Sequence, residues 1–216
     1  MSDNGISIKQ ADKNIYQSAF ADGLVDIFIT SVILMFVVAP VLSVHIGDYW
    51  SAFIFLPFWG VVSLVLSWIR KKVIKPRSGT VTYGKYRKKK ITLFTGIMLG
   101  LNVAFLIIGF VLFTAPTATG WKITLLFSGI LLIIFSLAGY FLDITRFYFY
   151  GFMLSAGFIV GEWLYQTFGI PHHGVPIVFG FAAGLIFFTG LYRFLSFLRQ
   201  NPLPAIDEMH WQGNNG

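Results

Sequence analysis

Cysteine is absent from the chain, which excludes disulfides, thiolate-held metals and thiol catalysis. Charge is scarce too: Asp, Glu, Lys and Arg make up 12% of the residues, against about a quarter in an ordinary soluble domain. Acidic residues are fewest of all, nine against 16 Lys and Arg. The patterns of common catalytic sites are also missing. There is no Gly-x-Ser-x-Gly elbow, no His-Glu-x-x-His, no phosphate-binding Gly-rich loop and no pair of carboxylates on one apolar run. The expectation is therefore a protein that is not an enzyme. No cofactor is expected either, since no two histidines stand at matched depth within the apolar runs to ligate a haem.

Apolar residues are plentiful, at 56% of the chain with a mean hydropathy of +0.74. They gather in six runs: Leu24 to Ile46, Trp50 to Ile69, Ile91 to Thr114, Ile123 to Leu142, Tyr148 to Gly169 and Val175 to Leu198. A hydrocarbon core about 30 Å thick takes roughly 20 helical residues, and each run reaches that length. Every backbone amide in lipid must be satisfied within its own segment, so the runs predict helices. Transmembrane strands would instead show alternating segments of about 10 residues. The fold class expected is all-α: a polytopic membrane protein with a bundle of six transmembrane helices and a short N-terminal amphipathic helix.

Three parts follow from this division. Residues 1–23 form a polar N-terminal segment in which Ile8, Ala11, Ile15, Ala19 and Phe20 recur at helical spacing, the pattern of a helix lying in the headgroup layer. Residues 24–198 form the membrane domain, and 199–216 a tail. The first run is about 23 residues long, against 7 to 15 for a cleavable signal core, so it is expected to remain as an anchor.

Basic residues are distributed unevenly. Arg70, Lys71, Lys72, Lys75, Arg77, Lys85, Arg87, Lys88, Lys89 and Lys90 all lie in the connection 70–90 between the second and third runs. With six spans, Lys122 is the only basic residue on the opposite side of the bilayer. The positive-inside rule then places both termini and the basic loop in the cytoplasm. A net charge of +7 concentrated beside the membrane argues for anionic headgroups rather than nucleic acid. The ends of the loop should lie on headgroups. Its middle, Pro76 to Gly84, combines turn residues with a short alternating stretch and predicts a small hairpin.

Within the runs, Glu162 stands out as the acidic or basic side chain furthest from either end. At 1.5 Å per residue it lies about 20 Å above Tyr148, in the outer half of the core. Charge near the bilayer centre costs roughly 3 kcal/mol, so this residue is expected to face protein or water. Ser155, Glu162 and Gln166 share one helical face. Two roles are open: a proton or cation site, or a structural carboxyl bonded to a neighbouring helix. His45, Asp48, His172 and His173 gather at the outer turns and are candidate metal ligands. Asn102 is expected to bond across helices, and the small-residue rows Thr92-Gly96-Gly100-Ala104, Gly157-Gly161 and Gly180-Gly184 are expected to be packing faces. Pro40 and Pro57 are expected to kink the first two spans.

Two segments, Phe20-Ala21-Asp22-Gly23-Leu24-Val25-Asp26-Ile27 and Pro76-Arg77-Ser78-Gly79-Thr80-Val81, resemble the recurring pattern of an uncharacterised prokaryotic family of small multi-span integral membrane proteins. The resemblance implies a prokaryotic cytoplasmic (inner) membrane and brings no known activity with it. The function expected from the residues themselves is engagement of anionic lipid, or of another membrane or cytoplasmic protein, through the basic face. The alternative is a small transporter or channel using Glu162. Rows of small residues also leave room for a homo-oligomer.

Overall fold

The computed structural model describes residue 20 and residues 22–78, 85–114 and 120–202. The expected N-terminal amphipathic helix, loop residues 79–84 and the tail beyond residue 202 lie outside the described residues. Those described are almost wholly helical, and no strand occurs among them. In chain order the α-helices are α1 (Leu24–Ile46), α2 (Asp48–Phe53), α3 (Phe55–Ile69), α4 (Lys75–Ser78), α5 (Lys85–Thr114), α6 (Gly120–Leu142), α7 (Arg146–Phe168) and α8 (Val175–Gln200). Five stretches are long and apolar enough to cross a membrane: α1, the continuous stretch Tyr49–Arg77, α6, α7, and the stretch Pro171–Gln200. The third expected run, Ile91 to Thr114, forms most of the 30-residue α5. The protein is a membrane-embedded helical bundle.

Local chemistry sets the boundaries. Gly23 and Gly47 flank α1 with φ of 74° and 82°, left-handed values that suit a residue without a Cβ. Asp22 Oδ1 accepts a hydrogen bond from the Leu24 amide at 3.0 Å and so satisfies one of the orphan donors of the first turn. The second apolar run has an irregularity at Ile54, where the ladder loses a bond because Pro57 offers no amide to the carbonyl of Phe53, although Ile54 keeps α-helical backbone. At its other end the run continues through a π-helical turn, Arg70–Ile74, directly into α4. The basic loop therefore begins as helix, and the hairpin expected from Pro76 onward is corrected for Pro76 to Ser78. Proline is readily accepted in a first helical turn.

The centre is built from α1, α6, α7 and α8. Ile33, Phe147, Leu154, Phe179, Ala183 and Ile186 are among its buried residues, and the rings of Phe36 and Phe158 pack on Phe179 at 5.4 and 4.8 Å. Helices α3 and α5 lie at the periphery, with Leu64 and Leu99 about 70% exposed. In lipid such exposure costs nothing, because acyl chains are as apolar as leucine.

Three expectations about packing divide here. Gly157 and Gly161 do sit in tight contacts, against Phe179 and against the backbone of His173. A Cβ on Gly96, Gly100 or Gly184 would meet nothing within 4 Å, so among the described residues those positions are not packing faces. Asn102 is exposed on α5, and its Nδ2 donates to the Met98 carbonyl of its own helix at 2.8 Å rather than across to another.

Candidate functional site

Two polar clusters occupy opposite ends of the bundle. At one end lie the start of α1, the junction of α6 with α7 and the end of α8; with the flanks of loop 70–90 this is the basic end. At the other, Glu162 projects from α7 and is 2% exposed. Its Oε2 lies 2.8 Å from His173 Nδ1 and accepts a hydrogen bond from Thr124 Oγ1 of α6 at 3.3 Å. Gln166, one turn along α7, donates its Nε2 to Glu162 Oε1 at 2.8 Å and accepts from Trp121 Nε1 through its own Oε1 at 2.8 Å.

Small residues make this arrangement possible. A Cβ on Gly120, the first residue of α6, would stand 2.7 Å from Glu162 Oε1. A Cβ on Gly161 would stand 2.7 Å from the His173 carbonyl, and one on Gly174 would stand 2.8 Å from the Gly161 carbonyl. The turn Pro171–Gly174 is thus drawn onto α7. Its His172, His173 and Gly174 all adopt left-handed backbone, with φ of 55°, 54° and 61°. That conformation is uncommon for histidine, and here it carries the imidazole down to the carboxyl.

The cluster joins residues that the sequence separates. Glu162 and Gln166 were expected on one face and are bonded to each other, but Gln166 is exposed at the rim. Ser155, two turns deeper, is buried and pairs with Ser128 of α6, Oγ to Oγ at 2.7 Å, instead of joining Glu162. His45, His172 and His173 are all exposed, and of the three His173 is the one bonded to the carboxyl. No group of three or more His, Cys, Asp or Glu side chains that could hold a metal occurs among the described residues. The Asp48 side chain lies outside them.

Glu162 is not alone in its burial. Asp26, in the first turn of α1, is fully buried, and Arg146 Nε from the start of α7 stands 2.8 Å from its Oδ1. Tyr150 and Arg193 border the same carboxyl. Arg146 also donates Nη2 to the Phe20 carbonyl at 2.8 Å. The network binds three helices, α1, α7 and α8, at the basic end. In the sequence, Arg146 and Arg193 are simply two of the basic residues on the side of the bilayer opposite Lys122. The available signal was the presence of two carboxylates, Asp22 and Asp26, at the entry to an otherwise apolar run, where buried acids call for cationic partners.

Of the ten loop cations, three are engaged among the described residues. Arg70 Nη2 donates to Asp22 Oδ2 at 3.3 Å. Arg77 Nη1 donates to the Leu198 and Asn201 carbonyls at 3.1 and 3.4 Å, closing the last turn of α8. Lys90 Nζ donates to the Tyr140 carbonyl and to Asp143 Oδ2, both at 3.1 Å, at the end of α6. Cations at helix C-termini meet orphan carbonyls and the negative end of the dipole. Lys71, Lys72, Lys75, Lys88 and Lys89 are exposed. The side chains of Lys85 and Arg87 lie outside the described residues.

Compared with protein-family models, with curated proteins and with solved structures, the chain matches none.

Proposed function

We propose that the protein is a non-enzymatic integral membrane protein whose basic end engages anionic lipid headgroups, or a partner protein gathered there, from the cytoplasmic side of a prokaryotic inner membrane. The observation that carries this reading is the division of labour in the loop. Arg70, Arg77 and Lys90 tie the loop flanks to α1, α8 and α6, and Lys71, Lys72, Lys75, Lys88 and Lys89 stand exposed beside those ties. Each lysine held near an anionic surface contributes about 1 kcal/mol, and salt screens that contribution. The orientation rests on the distribution of basic residues.

The test replaces Lys71, Lys72, Lys75, Lys88 and Lys89 with Gln in protein reconstituted in mixed phosphatidylcholine and phosphatidylglycerol. Spin-labelled phosphatidylglycerol should associate with the parent in preference to the choline lipid, and salt should weaken the preference. The variant should lose it. Absence of any preference in the parent, or its full retention by the variant, overturns the reading.

A second reading, a small transporter or channel, is favoured by one observation: buried Glu162 is bonded to His173, whose side chain is 53% exposed at the bundle end. An imidazole at the surface and a carboxyl beneath it form the first two stations of a proton path. Flux into liposomes would support this reading if it is lost in Glu162→Gln without loss of stability. A parent that passes no protons, sodium or potassium defeats it.

A further inference from the structure

Helices α1 and α3 are tied at two places and part between them. Trp59 Nε1 donates to the Ser31 carbonyl at 3.3 Å, and Arg70 closes onto Asp22 at 3.3 Å at the basic end. Between the ties lies a groove of about 230 Å³. Leu24, Val25 and Phe28 form its α1 wall, and Leu66 with the hydroxyl residues Ser63 and Ser67 forms its α3 wall. Arg70 stands at the mouth.

We infer that this groove is a binding site for one anionic glycerophospholipid, its phosphate on Arg70 and an acyl chain lying between the ties. The inference deepens the lipid reading above and rests on it. From Ser63 to Arg70 the groove runs about 10 Å at 1.5 Å per residue, the reach of part of an acyl chain. Its walls are mostly apolar, which suits a lipid tail and gives a free phosphate nothing to bury.

The polar lining lies on one wall only, that of α3 and the turn after it. Ser63 and Ser67 are the only hydroxyl residues of α3, and with Arg70 they recur at steps of four and three, on one helical face. That face is the one turned to the groove. Arg70 uses Nη2 for Asp22, and a guanidinium carries five N–H donors, so others remain for a phosphate oxygen. Exposed Lys71 and Lys72 follow it directly, so the charge at the mouth is positive even with Asp22 counted. A headgroup there would sit level with the exposed lysines and would extend the surface they present.

Native mass spectrometry of the full chain in detergent, with phosphatidylglycerol added, tests the site. The parent should retain one phosphatidylglycerol through delipidation. Ser67→Phe fills the groove while leaving the Arg70–Asp22 pair intact, and should lower occupancy about tenfold or more, as should Arg70→Gln, which removes a charge-assisted bond. Ser67→Leu serves if the phenylalanine disturbs assembly, which circular dichroism would reveal. Replacing Lys75, Lys88 and Lys89 with Gln, none of which lines the groove or its mouth, should weaken the general preference for phosphatidylglycerol and yet keep the single retained molecule. Inorganic phosphate should not displace it. Retention by correctly folded Ser67→Phe and Ser67→Leu overturns the groove site, as does loss in the variant of Lys75, Lys88 and Lys89 alone. A lipid-free dimer in place of the lipid-bound monomer would assign the groove to a second copy. If the parent shows no preference for anionic lipid in the bilayer, the broader reading fails separately.

Discussion

Gly161 of α7 and Gly174 of the preceding-end turn of α8 meet backbone to backbone, so closely that a methyl group on either would strike the other strand of chain. The contact has a chemical consequence. It holds the Pro171–Gly174 turn low enough for His173 Nδ1 to reach Glu162 Oε2 at 2.8 Å.

Gly161→Ala should therefore destabilise the protein by about 1–3 kcal/mol, the usual cost of overpacking. Gly96→Ala and Gly100→Ala should do the reverse. Both lie within α5 with open space around them, so each should stabilise by about 0.5–1 kcal/mol through better helix propensity. Thermal unfolding in one detergent compares all three. Destabilisation by the α5 substitutions would reveal a neighbour outside the described residues.

Removing the Glu162 carboxyl leaves several donors without their acceptor. Glu162→Leu strands Thr124, Gln166 and the His173 contact, and should cost about 2–3 kcal/mol. Glu162→Gln keeps the shape and one acceptor and should cost less than half of that. A double-mutant cycle of Glu162→Gln with His173→Ala should give a coupling of about 1 kcal/mol. A coupling of zero would mean that the two side chains do not share a bond in the membrane.

The pair Asp26 and Arg146 predicts a larger effect. Arg146→Ala leaves a fully buried carboxylate without its nearest cation and should cost about 3–5 kcal/mol. Replacing both partners, Asp26→Leu with Arg146→Met, should cost less than either single change, because no lone buried charge remains. Chemical denaturation monitored by circular dichroism measures all of them. Equal costs for the single and double variants would show that packing, not charge, sets the value of the site.

Orientation is open to direct measurement because the chain has no native cysteine. Lys72→Cys and His172→Cys place one thiol at each end of the bundle, both at exposed positions. An impermeant maleimide applied to intact cells should label His172→Cys and leave Lys72→Cys untouched until the membrane is opened. The opposite pattern would reverse the topology and remove the basis for lipid engagement from the cytoplasm.

The bounds of α1 stand in the sequence as they do in the structure, and the starts of α6 and α7 differ from the apolar runs by two or three residues. Run length and hydropathy are local quantities, and lipid converts them into helices without reference to the rest of the chain. Glu162 was legible for the same reason, as an isolated charge in an apolar run. Its partners were not. His173 reaches it only through left-handed backbone at two consecutive histidines, a conformation that depends on Gly161 and Gly174 lying against each other. Asp26 likewise reads as a residue at the water's edge, until α7 and α8 bring Arg146 and Arg193 around it and seal it from solvent. The small-residue rows of α5 and α7 look alike in sequence, yet Gly161 is packed and Gly100 is bare. Membrane insertion, the number of apolar runs and the crowding of positive charge at one end were settled by the sequence, because hydropathy and charge act residue by residue. Which helices touch, which cations are tied down and which groove stays open were decided by the tertiary structure, because in a solvent as apolar as the helices those outcomes depend on the fit between surfaces.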